Sequence, residues 1–195
     1  MDKFSYSVGV MVGQNLLNQG LTRVFAPDVA KGIADVISGN TLQIAPEEAN
    51  KILQDGVKSQ AEEMYASVIA RNRDFLKKNG QKDGVVTLDS GLQYQVLKEG
   101  SGATPVAADK VTTHYEGTLI DGTIFDSSIK RGQPATFPVT GVIGGWTEAL
   151  QLMKVGAKWR LFIPHELAYG SQGAGKVIKP FSTLIFDIEL LDITA

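Results

Sequence analysis

At the run KKNGQKDG, which ends at Gly84, the apolar pattern of this chain changes period, and that change restricts the fold more than any other feature. Upstream, apolar residues recur at intervals of three and four, the spacing of one helical face. Downstream they alternate with period two, the spacing of a half-buried strand. The run itself is charged and Gly-containing, as a boundary between folded parts should be. A helical part over residues 1–84 and a strand-rich part over 85–195 are therefore expected, and a chain of 195 residues has room for both.

In the first part, Phe4, Val8, Met11 and Val12 follow one helical face, and Leu16 extends it. Ser5, Gly9 and Gly13 lie four apart on another line of the same helix, where small side chains admit a second backbone, so a tight helix contact is expected. Pro27 and Asp28 open a second helix, with Val29, Ile33, Val36 and Ile37 on one face and Gly39 as its stop. Pro46, Glu47 and Glu48 suit the first turn of a third. Its apolar line runs through Ala49, Ile52, Leu53, Val57, Met64 and Val68 and thins into Arg71, Arg73, Lys77 and Lys78. A single helix from Glu47 to Asn79 would be about 50 Å long at 1.5 Å per residue. The expectation is a long arm whose first half packs and whose second half stands in water. Two short helices and half a long one leave much of the apolar seam uncovered, which dimerisation would remedy. The alternative is a self-contained three-helix bundle packed on the second part.

In the second part, Leu92-Gln93-Tyr94-Gln95-Val96 alternates, Val111–Leu119 is rich in Thr, Val and Tyr, and Asp121-Gly122 signals a turn into Thr123-Ile124-Phe125. Phe137-Pro138-Val139 reads as a short edge strand. Residues 146–153 form the one helical stretch expected here, with Trp146, Leu150 and Met153 on one face, before strands over Lys158–Ile163 and Thr183–Ile193. The fold class is α+β: a C-terminal antiparallel sheet around one short helix, preceded by an all-α dimerisation region that ends in a long helical arm. The aromatic and branched residues of VTTHYEGTLIDGTIFDSS, of Val142–Trp146 and of Ala168–Gly170, separated by Gly-marked turns, suit a deep apolar pocket.

Several chemistries are disfavoured. The net charge of −2 gives no electrostatic reason for a nucleic-acid partner, and the absence of cysteine excludes thiol catalysis and disulfides. GSQGAGK, at Gly170–Lys176, matches the start of a phosphate-binding loop, but Val177 replaces the Ser or Thr that would reach magnesium, and no helix is expected to follow. His114 and His165 have no ligand cluster around them in sequence, and Ser127-Ser128 has no base. No metal or cofactor is expected. The N-terminus lacks the pattern of an export signal and no stretch approaches the roughly 20 apolar residues of a membrane span, so a cytoplasmic protein without membrane contact is expected. A removed export signal is the alternative.

HYEGTLIDGTIFDSS, VIGGW from Val142, LAYG from Leu167 and TLIFDIELL from Thr183 resemble the FKBP family of peptidyl-prolyl cis/trans isomerases, in the family's order, over about Gly91–Ile193. The helical part, from SYSVGVMVGQNL to GVVTLDSGLQY, is similar to the two-domain Mip-like bacterial branch, which dimerises through intertwined N-terminal helices; the chain most resembles that branch's cytoplasmic members. The resemblance implies catalytic roles for Tyr115, Phe125, Asp126, Tyr169 and Phe186, and substrate binding by Phe137, Val142, Ile143, Trp146, Val177 and Ile178. Trp146 would be the floor under the prolyl ring, Val177 and Ile178 an apolar lip, and Arg131 the brace of Asp126. Gly144 and Lys179 depart from prolines common in the family, which bears on substrate preference.

The chemistry so implied is rotation about an X-Pro bond, by desolvation and preferential binding of the twisted amide, with Tyr169 Oη and the Ile143 N–H as donors. The implied partners are proline-containing unfolded or partly folded polypeptides, a second copy of the chain, and macrolide inhibitors of the rapamycin type. The competing reading is a dimeric chaperone or macrolide-binding module that holds clients without significant turnover.

Overall fold

The computed structural model describes residues 1–194. The backbone forms two compact units, Met1–Met64 and Tyr65–Ala195.

The first unit holds α1 (Lys3–Asn18), α2 (Ala26–Ile37) and α3 (Pro46–Met64). Asp2 caps α1 by accepting the Ser5 N–H at 2.8 Å, and Gly39, in the left-handed region at φ 66°, ends the turn after α2. These helices have apolar faces and almost nothing to bury them against. Leu21 is the one buried hydrophobic side chain among the described residues of this unit, whereas Phe4, Met11, Phe25, Val36 and Ile37 are 67–80% exposed. The close contact expected at Gly9 and Gly13 is not made within the single chain: a Cβ built at either glycine meets nothing within 4 Å.

The periodicity predicts one helix from Glu47 to Asn79, but there are two. Helix α3 stops at Met64 and α4 spans Ala66–Asn79, with Tyr65 between them at φ −105°, ψ 16°. The second half of the predicted arm also differs from its expected role. Helix α3 buries no residue, while α4, expected to stand in water, buries Asn72 and Asn79. Its docking is largely polar, which is why an apolar line does not reveal it. Asn72 Oδ1 accepts the Thr183 N–H at 3.0 Å, Asn79 Nδ2 donates to Gln93 Oε1 at 3.0 Å, and Gln93 Nε2 donates to Leu76 O at 2.9 Å. One aromatic pair, Phe75 with Phe162 at 6.1 Å between centroids, completes the contact.

The second unit continues into seven antiparallel strands: β1 (Val85–Thr87), β2 (Gln93–Lys98), β3 (Lys110–Leu119), β4 (Ile124–Ser127), β5 (Ala135–Pro138), β6 (Lys158–Ile163) and β7 (Leu184–Thr194). The order is β1-β2-β6-β7-β3-β4, with β5 also paired to β3. Asp121-Gly122 makes the expected turn between β3 and β4: Gly122 sits at φ 85° and Asp121 Oδ1 accepts the Thr123 N–H at 3.0 Å. Two helices interrupt the strands. Helix α6 (Gly144–Leu150) is the predicted one, and a single turn, α5 (Ser128–Arg131), is an addition that four residues are too few to announce by period.

Alternation sorts the sheet into two faces. Tyr94, Leu161 and Phe186 stand opposite one another in the ladders, as do Trp159, Ile188 and Tyr115, and this face meets α6. Gln93 and Phe162, offset by one residue, take the other face and receive α4. Gly145 lets α6 approach closely, because a Cβ there would lie 2.5 Å from Ile163 Cγ2.

Candidate functional site

Strands β3, β4, β5 and β7, the N-terminal end of α6 and the loop after β6 together enclose a cavity of about 450 Å³. Its lining is Tyr115 from β3, Phe125 and Asp126 from β4, Phe137 from β5, Gly141, Val142 and Ile143 from the turn before α6, Trp146 from α6, Tyr169 and Phe186. The volume is within the usual 300–1,000 Å³ of small-ligand sites, and a largely apolar wall with few polar groups is their usual chemistry.

The aromatic wall is held edge to face. Trp146, 4% exposed, lies at 5.2 Å from both Tyr115 and Phe186 and at 5.9 Å from Phe137, with interplanar angles of 85–86°. Phe125 meets Phe186 at 5.4 Å and 84°. Such pairs add about 0.5–1.5 kcal/mol each beyond the area they bury. Gly117 makes the last pair possible. It is paired with Phe186 across β3–β7, and a Cβ at this position would lie 2.6 Å from the Phe125 ring and 2.7 Å from the Phe186 ring. The backbone of the turn is tied to the helix below it: Thr147 Oγ1 donates to Val139 O at 2.8 Å, and the Trp146 and Thr147 N–H groups donate to Ile143 O. The Ile143 N–H itself donates to no protein acceptor among the described residues.

One charged cluster stands at the cavity edge. Tyr115 Oη donates to Asp126 Oδ2 at 2.5 Å, Arg131 Nη1 donates to Asp126 Oδ1, and Arg131 Nη2 donates to Tyr115 Oη at 2.8 Å. The guanidinium carbon also lies 5.6 Å from the centroid of the Tyr115 ring. Burial is the largest single influence on Asp126 and pushes its carboxyl up, but the Tyr115 hydroxyl and the Arg131 guanidinium together hold it below the ordinary carboxylate value. Burial, and then the Asp126 carboxylate that accepts its hydrogen bond, push the Tyr115 phenol up. Asp126 is thus an anion and Tyr115 a neutral donor at neutral pH. Arg131 reaches them because α5 is capped by Ser127, whose Oγ accepts the Lys130 N–H at 3.2 Å, and is stopped by Gly132 at φ 72°.

Of the residues singled out from the sequence, Tyr115, Phe125, Asp126, Phe137, Val142, Ile143, Trp146, Tyr169 and Phe186 all line this cavity, and Arg131 braces it from α5. Val177 and Ile178 are not in the lining. Ile178 is 8% exposed and belongs to the core, bridged to Ala174 by paired backbone hydrogen bonds, while Val177 is 43% exposed. Apolar residues in a glycine-rich loop carry no period, so their direction is not readable in advance. Gly141 is the lining residue that the reading missed, since a glycine in a turn offers no side-chain signal. The loop that carries Tyr169 closes through the Phe181 N–H on Gly170 O at 2.8 Å, and Phe181 is the one non-glycine residue at positive φ, 61°, among the described residues. Its buried ring packs edge-on against His165 at 5.1 Å and near Tyr65 at 6.0 Å. His114 and His165 join no group of potential metal ligands among the described residues.

Comparison with known proteins covers both units. Residues 101–191 match the family model for FKBP-type peptidyl-prolyl cis-trans isomerase, and residues 1–96 match that for the domain amino terminal to it. The FKBP-type 22 kDa peptidyl-prolyl cis-trans isomerase of Escherichia coli is 46% identical over 97% of this chain and 93% of that protein. The outer membrane protein MIP of Legionella longbeachae is 46% identical over 98% of this chain and 85% of that protein. Among solved structures, FkpA from Escherichia coli aligns with a TM-score of 0.66 at 35% identity, over 98% of this chain and 95% of that one. An aromatic cavity floored by Trp146 and edged by the Asp126 cluster, two matching family models and full-length relatives lead to one conclusion: the chain belongs to the FKBP-type peptidyl-prolyl cis-trans isomerases.

Proposed function

We propose that the cavity accelerates X-Pro rotation by taking the amide out of water and binding its twisted form, and that Tyr115, Phe125, Asp126, Tyr169 and Phe186 carry this with Phe137, Val142, Ile143 and Trp146 as the substrate-binding wall. An amide resists rotation by about 18–20 kcal/mol because planarity carries resonance, and twisting it removes that resonance together with much of its charge separation. The planar form therefore loses more on leaving water than the twisted form does. No covalent bond breaks and no proton moves. The Ile143 N–H, without a protein acceptor among the described residues, is free for a substrate carbonyl, and Tyr169, which lines the same cavity, offers its hydroxyl as a second donor. Asp126 acts through charge and shape at the cavity edge. The observation that carries the reading is the apolar, ring-lined cavity with so few polar groups.

The direct test is exchange NMR or a coupled assay of cis/trans interconversion on a short X-Pro peptide. Trp146→Leu should lower kcat/KM by at least about tenfold, the equivalent of about 1.4 kcal/mol, because the floor and three edge contacts go together. Asp126→Val should lower it by about three- to tenfold with the fold intact, since one polar group is removed from a partly exposed edge. Unchanged rates in both variants would remove the cavity from the mechanism.

The protonation states predict the pH profile. Asp126 is held low and Tyr115 high, so neither changes charge between about pH 5 and 9, and kcat/KM should be flat there. Because the folded-state pKa of Asp126 is depressed, the stabilisation from its pairing is complete above the unfolded value, about 4, and is lost as pH falls through the folded value. Turnover should fall in the same acid window. A rate limb near neutral pH would assign the chemistry to another group.

The exposed apolar faces of Met1–Met64 support a homodimer through this unit, since a unit of this size with one buried hydrophobic side chain lacks a core of its own. Light scattering should give twice the chain mass of 20.9 kDa, and charges at Val8 and Met11 should return the monomer mass; a native monomer would contradict the assignment. Proline-containing, partly folded chains are the proposed clients, with two cavities per dimer adding avidity. Binding of rapamycin-type macrolides and a cytoplasmic location complete the proposal. Among the described residues no helix is long and apolar enough to cross a membrane.

A further inference from the structure

Strand β3 is paired with β7 along one edge, from Lys110 to Leu119. Its other edge is shared: β5 covers Lys110–Thr113 and β4 covers Glu116–Thr118. His114 and Tyr115 therefore face no strand on that edge. One hydroxyl fills the gap. Ser128 Oγ accepts the Tyr115 N–H at 2.7 Å and donates to the Tyr115 C=O at 3.2 Å, so a side chain supplies both backbone bonds that a strand would have made. Ser128 is fully buried, at 0% exposure, and its third partner is His114 Nδ1 at 3.0 Å. A hydroxyl has one proton and two lone pairs. With the proton on the Tyr115 carbonyl, the two acceptor sites take the Tyr115 N–H and an Nδ1–H of His114, and its capacity is full.

Ser128 is also the first residue of α5, and Arg131 is its last. We infer that Ser128 is a positioning residue for this isomerase: by locking α5 to the strand that carries Tyr115, it sets the reach of the Arg131 guanidinium to Asp126 and to Tyr115 Oη. Both ends of the charged cluster then hang from one buried atom. Tyr115 is held through its backbone, and Arg131 through the single helical turn that Ser127 caps and Gly132 ends. His114 orients the hydroxyl from β3. A loosened α5 would leave the cavity wall of rings in place and displace only the guanidinium.

The inference rests on the reading of Asp126 and Arg131 as working parts of the site, and the test separates the two. Ser128→Ala, Arg131→Leu and the double variant are assayed for kcat/KM on an X-Pro peptide, with folding checked by thermal unfolding. Ser128→Ala should lower kcat/KM about fivefold in the native background and less than about twofold in the Arg131→Leu background. The acid limb of its pH profile should also move to higher pH, because Asp126 loses part of its cation. Ser128→Cys fills the same space with a weaker hydrogen-bonding atom, and it carries the same cycle if Ser128→Ala does not fold. Equal losses in both backgrounds, or none in the native one, would overturn the positioning role while leaving the site reading intact. Full activity in Arg131→Leu alone would remove Arg131 from the working parts of the site and overturn this inference, while the cavity reading stands or falls with Trp146→Leu and Asp126→Val.

Discussion

Trp146 stands nearly perpendicular to three rings that three different strands deliver, Tyr115 from β3, Phe137 from β5 and Phe186 from β7, and the cavity exists only while those approaches hold. Two glycines make them possible. Gly145 lets α6 sit against Ile163, and Gly117 leaves room for Phe125 and Phe186 to meet; at either position a Cβ would lie within 2.7 Å of the neighbouring side chain. Overpacking of this kind typically costs about 1–3 kcal/mol, so side-chain absence at these points is as much a part of the site as the rings are.

The charged cluster solves a different problem. A carboxylate beside Phe125 loses water that only a strong partner replaces, and Asp126 has two, a phenol and a guanidinium. With Asp126 and Arg131 both partly exposed, at 41% and 51%, the pair adds little to stability by itself. Its consequence is geometric: it fixes the Tyr115 ring and closes one side of the cavity with a group whose charge is constant around neutral pH.

What the sequence makes legible of the fold follows from period. Strand β3 alternates Val111, Thr113 and Tyr115 inward, and its pairing with β7 brings Tyr115 and Phe186 into one wall; the nine lining residues themselves are named by the family resemblance of motifs spread over Tyr115–Phe186, not by period. The failures have physical reasons too. No glycine or proline marks Tyr65, where α3 gives way to α4, and α4 docks through Asn72 and Asn79, whose polarity reads as solvent-facing. Helix α5, with four residues, is too short for a period to show. Ser128 reads from sequence only as a hydroxyl without a base, because the gap between β4 and β5 that it fills appears only when the strands are paired.

The central claim is that shape and desolvation, without proton transfer, carry the rotation. Its most direct measurement is the solvent isotope effect on kcat/KM for an X-Pro peptide, compared between H2O and D2O under matched conditions. The account predicts a ratio of about 1, since no proton is in flight when the amide twists. A ratio of about 2 or more would place a proton transfer in the rate-limiting step and contradict it.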